Sequence, residues 1–198
     1  GEENVVVPQA SDYDQVLREQ YVVVDPAERR QMITQGLQKL AEEQHATVVE
    51  DEDLLTEIVF LVEYPTPLCG HFEERYLELP EAAVVTPMKD HQRYFPLRDR
   101  EGRLLPLFLT VRNGSDEHLA TVQAGNERVL RARLADAEFF FNEDRKKSLA
   151  ARYDALQRIV YQENLGTMQD KTERLQKITQ VFAEAYELTQ EEKELLQR

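Results

Sequence analysis

Lys89, His91 and Arg93 occupy alternate positions immediately ahead of Tyr94 and Phe95. Cationic and imidazole groups beside two rings suit a surface that meets phosphates and bases, with charge for the one and stacking for the other. The same residues equally suit a strand entry whose rings face the core. A second concentration runs from Gly125 to Lys147, where Arg128, Arg131, Arg133, Arg145, Lys146 and Lys147 share one helical stretch. At helical spacing these guanidiniums spread around the axis. They can reach RNA phosphates, or pair with Glu127, Asp136 and Glu138. The chemistry on offer is recognition of a polyanion.

Groups for bond making are sparse. His45, His71, His91 and His118 are scattered, and none sits in a metal-binding H-x-x-x-H or H-E-x-x-H setting. The seven glycines are isolated, and no Gly-rich phosphate loop or G-x-S-x-G elbow occurs. The run Glu50-Asp51-Glu52-Asp53 could attract a divalent cation, but it also reads as a solvated helix start that exploits the N-terminal dipole. The single cysteine, Cys69, excludes an internal disulfide and a cysteine-rich zinc site, and it fits a reducing cytosol.

Composition bounds the rest. A chain of 198 residues, 41% hydrophobic and 31% charged, can bury a core as one domain or one domain with a small helical appendage. A net charge of −14 argues against unselective nucleic-acid binding. The charge is uneven: Lys89 to Arg152 holds thirteen Lys/Arg against ten Asp/Glu, and the remainder eleven against twenty-eight. The middle is mildly basic and both flanks are acidic. No apolar run approaches a membrane span, and the opening GEENVVVPQ lacks the basic start of a secretory signal. A chain that begins with Gly rather than Met reads as a piece of something longer.

The elements that must position these residues follow from pattern. Val5–Val7 and Val22–Val24 read as short strands around a helical turn near Tyr13–Glu19. Asp25-Pro26 starts a helix whose buried side is Ile33, Leu37 and Leu40 and which ends near Gln44. Asp51 or Asp53 caps a second helix over 51–63, stopped by Pro65 and Pro67. Pro67–Phe72 is a strand, and Glu81–Val85 a helix interrupted by Pro87. Tyr94–Leu97 and Leu104–Val111 form a hairpin around Asp99–Gly102. Beyond Leu119 the chain reads as helical throughout, with segments Leu119–Asn142, Ser148–Glu163 and a capped helix from Thr167 carrying Leu175, Ile178, Phe182 and Ala185, before a last turn over 189–198. In the first of these, Leu130, Leu134, Ala137 and Phe141 form the buried stripe, and Phe139 and Phe140 broaden it. The class is α+β, a small mixed or antiparallel sheet with flanking helices, with a domain over 1–165 and a C-terminal helical segment over 166–198.

Several long stretches resemble, in the same order, the β subunit of the bacterial two-subunit glycyl-tRNA synthetase. They are DEDLLTEIVFLVEYP (51–65), LPEAAVV (79–85), TPMKDHQRYFPL (86–97), GRLLPLFLTVRNG (102–114), GNERVLRARLADAEFFFNEDRKKSL (125–149) and QENLGTMQDKTERL (162–175). The resemblance covers Asp51 to Leu175 well and the first fifty residues loosely. It implies an internal fragment of a cytoplasmic ligase subunit, lying before the HD-type domain of that family. No HD dipeptide occurs in the chain. It further implies a non-catalytic role in tRNA(Gly) binding and α2β2 assembly, with ATP, Mg and glycine bound by the α subunit, and no membrane contact. On that resemblance Lys89, His91, Arg93, Arg128, Arg131, Arg133, Arg145, Lys146 and Lys147 become the tRNA-backbone candidates. Two other readings stand beside it: a protein–protein scaffold without RNA contact, and a hydrolytic, editing-like pocket using His91 with Asp90 or Glu127.

Overall fold

The computed structural model describes residues 4–196, which fall into two compact units dividing between Phe141 and Asn142. This division lies upstream of the 165/166 boundary read from the sequence. It falls inside a helix, because the contacts that define the first unit run out before that helix ends.

The first unit contains α1 (Tyr13–Glu19), α2 (Pro26–Glu43), β1 (Thr47–Val48), α3 (Glu52–Leu61), β2 (Pro65–His71), α4 (Glu81–Thr86), β3 (Phe95–Arg98), β4 (Leu104–Asn113) and most of α5 (Leu119–Arg145). Local chemistry sets the helix starts. Asp25 Oδ1 accepts from the Ala27 amide at 2.8 Å, with Pro26 at the first helical position, and Asp51 Oδ1 accepts from Leu54 N at 2.9 Å. Pro87 offers no N–H to close a normal α turn, and the chain widens into a π-turn over Pro87–His91.

The sheet is four-stranded and antiparallel, ordered β1-β3-β4-β2. Its hairpin turns on Asp99, whose Oδ1 accepts from Glu101 N at 2.8 Å and Arg103 N at 2.9 Å, with Gly102 at φ +82. Successive side chains on a strand point to opposite faces, and both faces are used. Phe95, Leu97 and Leu109 pack with Ile33, Leu37, Leu54 and Ile58 of α2 and α3. Tyr94 and Phe108 face the other way and pack with Val84, Met88, Leu130 and Leu134 of α4, the π-turn and α5. Helices on both faces explain why β4 reads as a continuous apolar run and not as an alternation.

Arg29 ties the α2 start to its surroundings in a way no motif announces. Its guanidinium donates to the carbonyls of Val23 at 2.7 Å, Val24 at 2.8 Å and Val59 at 3.0 Å. Neither Val5–Val7 nor Val22–Val24 forms a strand; Val23 is buried, and its N–H donates to Glu63 O at 2.8 Å.

The second unit comprises the end of α5, α6 (Leu149–Arg152), a 3₁₀ turn over Tyr153–Arg158, the two-stranded pair β5 (Val160–Gln162) and β6 (Gly166–Thr167), α7 (Met168–Ala185) and α8 (Gln190–Leu196). The continuous helix expected over Ser148–Glu163 is absent. Its intended stripe has little to pack on, and Leu149 and Val160 are 89% and 71% exposed. The capping box before α7 forms as its sequence dictates, with Thr167 Oγ1 accepting from Asp170 N at 3.2 Å and Asp170 Oδ2 accepting from Thr167 N at 2.6 Å. Of the α7 stripe, Leu175, Ile178 and Phe182 are all more than half exposed.

Candidate nucleic-acid interface

The structure treats the nine cationic and imidazole candidates in three ways. Four are held by carboxylates. The Lys89 ammonium donates to Asp51, Arg93 Nε lies 2.8 Å from Glu57 Oε1, Arg131 Nε lies 2.7 Å from Glu73 Oε1, and Lys146 pairs with Glu143. His91 is exposed, its carbonyl accepting weakly from Arg93 Nη1 at 3.5 Å. Arg128, Arg133, Arg145 and Lys147 are exposed. Among the described residues Arg128, Arg133 and Lys147 form no ion pair.

The two candidate segments do not merge into one patch. The π-turn is a bridge: Met88 and Tyr94 pack toward α5, while Lys89 and Arg93 reach the other way to Asp51 and Glu57 at α3. Arg93 sits at φ +57, in the left-handed region, which turns the chain so that Tyr94 can enter the core. The rings that follow are core residues: Tyr94 stacks on Phe108 with centroids 4.5 Å apart, and Phe95 is 2% exposed. Burial pushes the Tyr94 phenol up to about 12.

The Asp51–Lys89 contact has a pH signature. The hydrogen bond from Lys89, and next the Leu54 N–H, hold the Asp51 carboxyl below the ordinary aspartate range. A carboxyl depressed on folding stabilises the native state fully above its unfolded value, about 3.9, and that contribution is lost as pH falls toward the folded value. Asp51→Asn retains an N-cap of equal quality and removes only the ion pair. We expect it to cost less than about 1 kcal/mol at neutral pH and to flatten the acid limb of stability below about pH 4. Urea midpoints measured across pH check this, and an unchanged acid limb would remove Lys89 as an anchor.

α5 supplies Arg128, Arg133 and Arg145 of the exposed remainder. Leu130 and Leu134 are fully buried, but Phe139 and Phe140 do not broaden that face as their sequence suggests. They are 59% and 63% exposed, edge to face with centroids 5.5 Å apart. Helical spacing puts Arg128 on the same stripe as Phe139, and Arg133 on the same stripe as Phe140. Two outward stripes therefore each carry a guanidinium and a phenyl ring.

Glu127, on the inward side of α5, joins the helix to the β2 edge. Its Oε1 accepts from His71 N at 3.2 Å and Gln123 Nε2 at 2.8 Å, and lies 2.7 Å from His71 Nδ1. Its histidine partner is thus His71 and not His91, which corrects the editing-like pairing of His91 with Glu127. Nearby Cys69 has its thiol pushed up by burial and then by the Glu127 charge, which disfavours the thiolate a nucleophile needs. Sequence spacing gave no sign of the His71–Glu127 pair, because the two are brought together only when α5 lies across the sheet. Among the described residues no group of three or more His, Cys, Asp or Glu is placed to hold a metal ion, and no described helix is long and apolar enough to cross a membrane.

The fold and this surface define an α+β domain that presents one long helix carrying exposed guanidiniums and rings. The family model described as "Glycyl-tRNA synthetase beta subunit" matches residues 1–197, beyond the 51–175 span of the motifs, and the chain belongs to that family. It is 52% identical over 97% of its length to the glycine–tRNA ligase beta subunit of Moorella thermoacetica. Against that of Desulforudis audaxviator it is 49% identical over 96%, and against that of Listeria monocytogenes 50% over 95%. The chain spans 28%, 28% and 27% of those relatives' own lengths.

Proposed function

We propose that this chain is a region of a cytoplasmic glycine–tRNA ligase that contacts the tRNA(Gly) backbone and supports assembly with an α subunit, while the chemistry proceeds elsewhere in the enzyme. The observation that carries the reading is the outward face of α5. Arg128, Arg133, Phe139 and Phe140 are all exposed along this one helix, the combination of charge and ring that RNA recognition uses. His91 is an accessible addition within the same unit; Arg145 and Lys147 lie in the second unit. Lys89, Arg93, Arg131 and Lys146 belong to the interface only where phosphate displaces their carboxylate partners. ATP with Mg is assigned to the α subunit on the family resemblance. Among the described residues the glycines at positive φ are Gly102, Gly114 and Gly166, each in its own turn.

Reversing two phosphate-facing charges should reduce the salt dependence of binding by roughly two and weaken binding at low salt by about ten- to a hundredfold. The experiment is Arg128→Glu with Arg133→Glu in the assembled enzyme, with tRNA affinity titrated over salt. Unchanged affinity and slope would take α5 off the RNA surface. The ion pairing of four candidates favours a second reading, a purely protein-binding scaffold. That reading expects Phe139→Ala with Phe140→Ala to weaken α-subunit association and leave tRNA affinity intact.

A further inference from the structure

The two edges of the sheet are finished differently. β2 carries Pro65 and Pro67, which have no N–H, and its last amide, that of His71, is taken by Glu127. β1 has no such protection. Thr47 and Val48 pair with Arg98 and Leu97, and Val49 N donates to Pro96 O at 3.1 Å. Antiparallel alternation then turns the N–H and C=O of Val48 away from β3, toward the free edge.

A groove of about 720 Å³ runs along that edge between α2 and the start of α3. Its floor includes Leu37, Ala41, Leu55 and Phe95, of which Leu37, Ala41 and Phe95 are buried members of the core on that face. No Lys, Arg or His lines it. Of its four rim carboxylates, Asp51 is engaged by Lys89 and Glu52 by Arg30, while Glu42 and Glu50 form no ion pair among the described residues.

We propose that this groove takes an extended polypeptide segment, added as a further strand on β1, that carries both apolar and Lys/Arg residues at its groove-facing, alternate positions. The Val48 backbone groups supply the ladder bonds, and the apolar side chains continue the core over Leu37 and Phe95. The cationic side chains meet Glu42 and Glu50. Strand addition at an open edge is an established mode of protein recognition. The acidic rim repels nucleic acid, so the occupant is protein, and the inference stands independently of any RNA contact at α5.

The test titrates the whole chain with a synthetic peptide of about six residues, the usual strand length, with Val and Lys at its groove-facing alternate positions and Thr between them. A matched Val/Glu peptide and a Val/Lys peptide N-methylated at alternate amides serve as comparisons. The Lys peptide is expected to shift the Val48 amide resonance and to bind about tenfold more tightly than either comparison at low salt. Glu42→Lys with Glu50→Lys, two exposed substitutions, should reverse the preference toward the Glu peptide. Four results would overturn the proposal: no binding at millimolar peptide, equal affinity for the two charge types, undiminished Lys-peptide affinity in the charge-reversed chain, or displacement of the peptide by short single-stranded RNA.

Discussion

Phe108→Ala is expected to destabilise the first unit by about 3–5 kcal/mol, the largest effect of any single truncation considered. The ring is fully buried at the centre of β4 and stacks on Tyr94 at an interplanar angle of 12°. Such a pair contributes about 0.5–1.5 kcal/mol beyond its buried area. Opposite it on β2 stands Gly70, which has no side chain to collapse into the space left behind. Leu130 and Leu134 of α5 pack in the same cluster, so the cavity would open beneath the helix that presents Arg128 and Arg133. Urea unfolding gives the measurement: the midpoint should fall with little change in slope. A loss below about 1 kcal/mol, the scale of a surface change, would show that the cluster is not packed as described.

Gly70→Ala is the second large effect, and its cause is the same ring. A Cβ at Gly70 would lie 2.3 Å from Phe108 Cζ and 2.8 and 2.9 Å from the two Cε atoms. The ring is held by Tyr94 and cannot yield without losing that stacking, so the overpacking should cost about 1–3 kcal/mol. Elsewhere in a strand interior the same change is mildly favourable, since Gly loses the most backbone freedom on folding. A double-mutant cycle separates the two terms. Against a Phe108→Leu background, where the distal ring atoms are gone, the penalty of Gly70→Ala should shrink to within about 0.5 kcal/mol of zero, giving a coupling of 1–3 kcal/mol. Equal penalties in the two backgrounds would place the strain in the backbone and not in the ring contact.

Both predictions turn on a pairing that no local pattern reveals. Gly70 read alone is one isolated glycine in a proline-bounded strand, and Phe108 one apolar residue in a continuous run. Local chemistry, by contrast, is legible along the chain. The helix starts at Asp25-Pro26, Asp51 and Thr167 depend on bonds that span two or three residues, so the sequence contains the whole cause. The hairpin at Asp99–Gly102 is of the same kind. β1 leaves no such signal, because two residues show no period. The failure at Ser148–Glu163 has the opposite origin: a plausible helical stripe gained no burial, and short isolated helices are marginal without it.

The candidate interface divides along the same line. Which residues could meet a polyanion was visible in the sequence, since only a few segments of an acidic chain concentrate Arg, Lys and aromatic side chains. Which of them are available was decided by the tertiary fold. Lys89 and Arg93 look outward in one dimension, but the π-turn aims them at Asp51 and Glu57, and Arg131 finds Glu73. Phe139 and Phe140 look like core and lie exposed. By itself the sequence determined the family, the helix and hairpin boundaries set by caps and turns, and the residues able to carry charge or ring contacts. Tertiary structure alone decided which charges are neutralised, which rings are covered and which sheet edge stays open. The physical reason is range: caps and turns are settled between neighbours along the chain, whereas ion pairing and burial depend on distances between residues that only packing brings together.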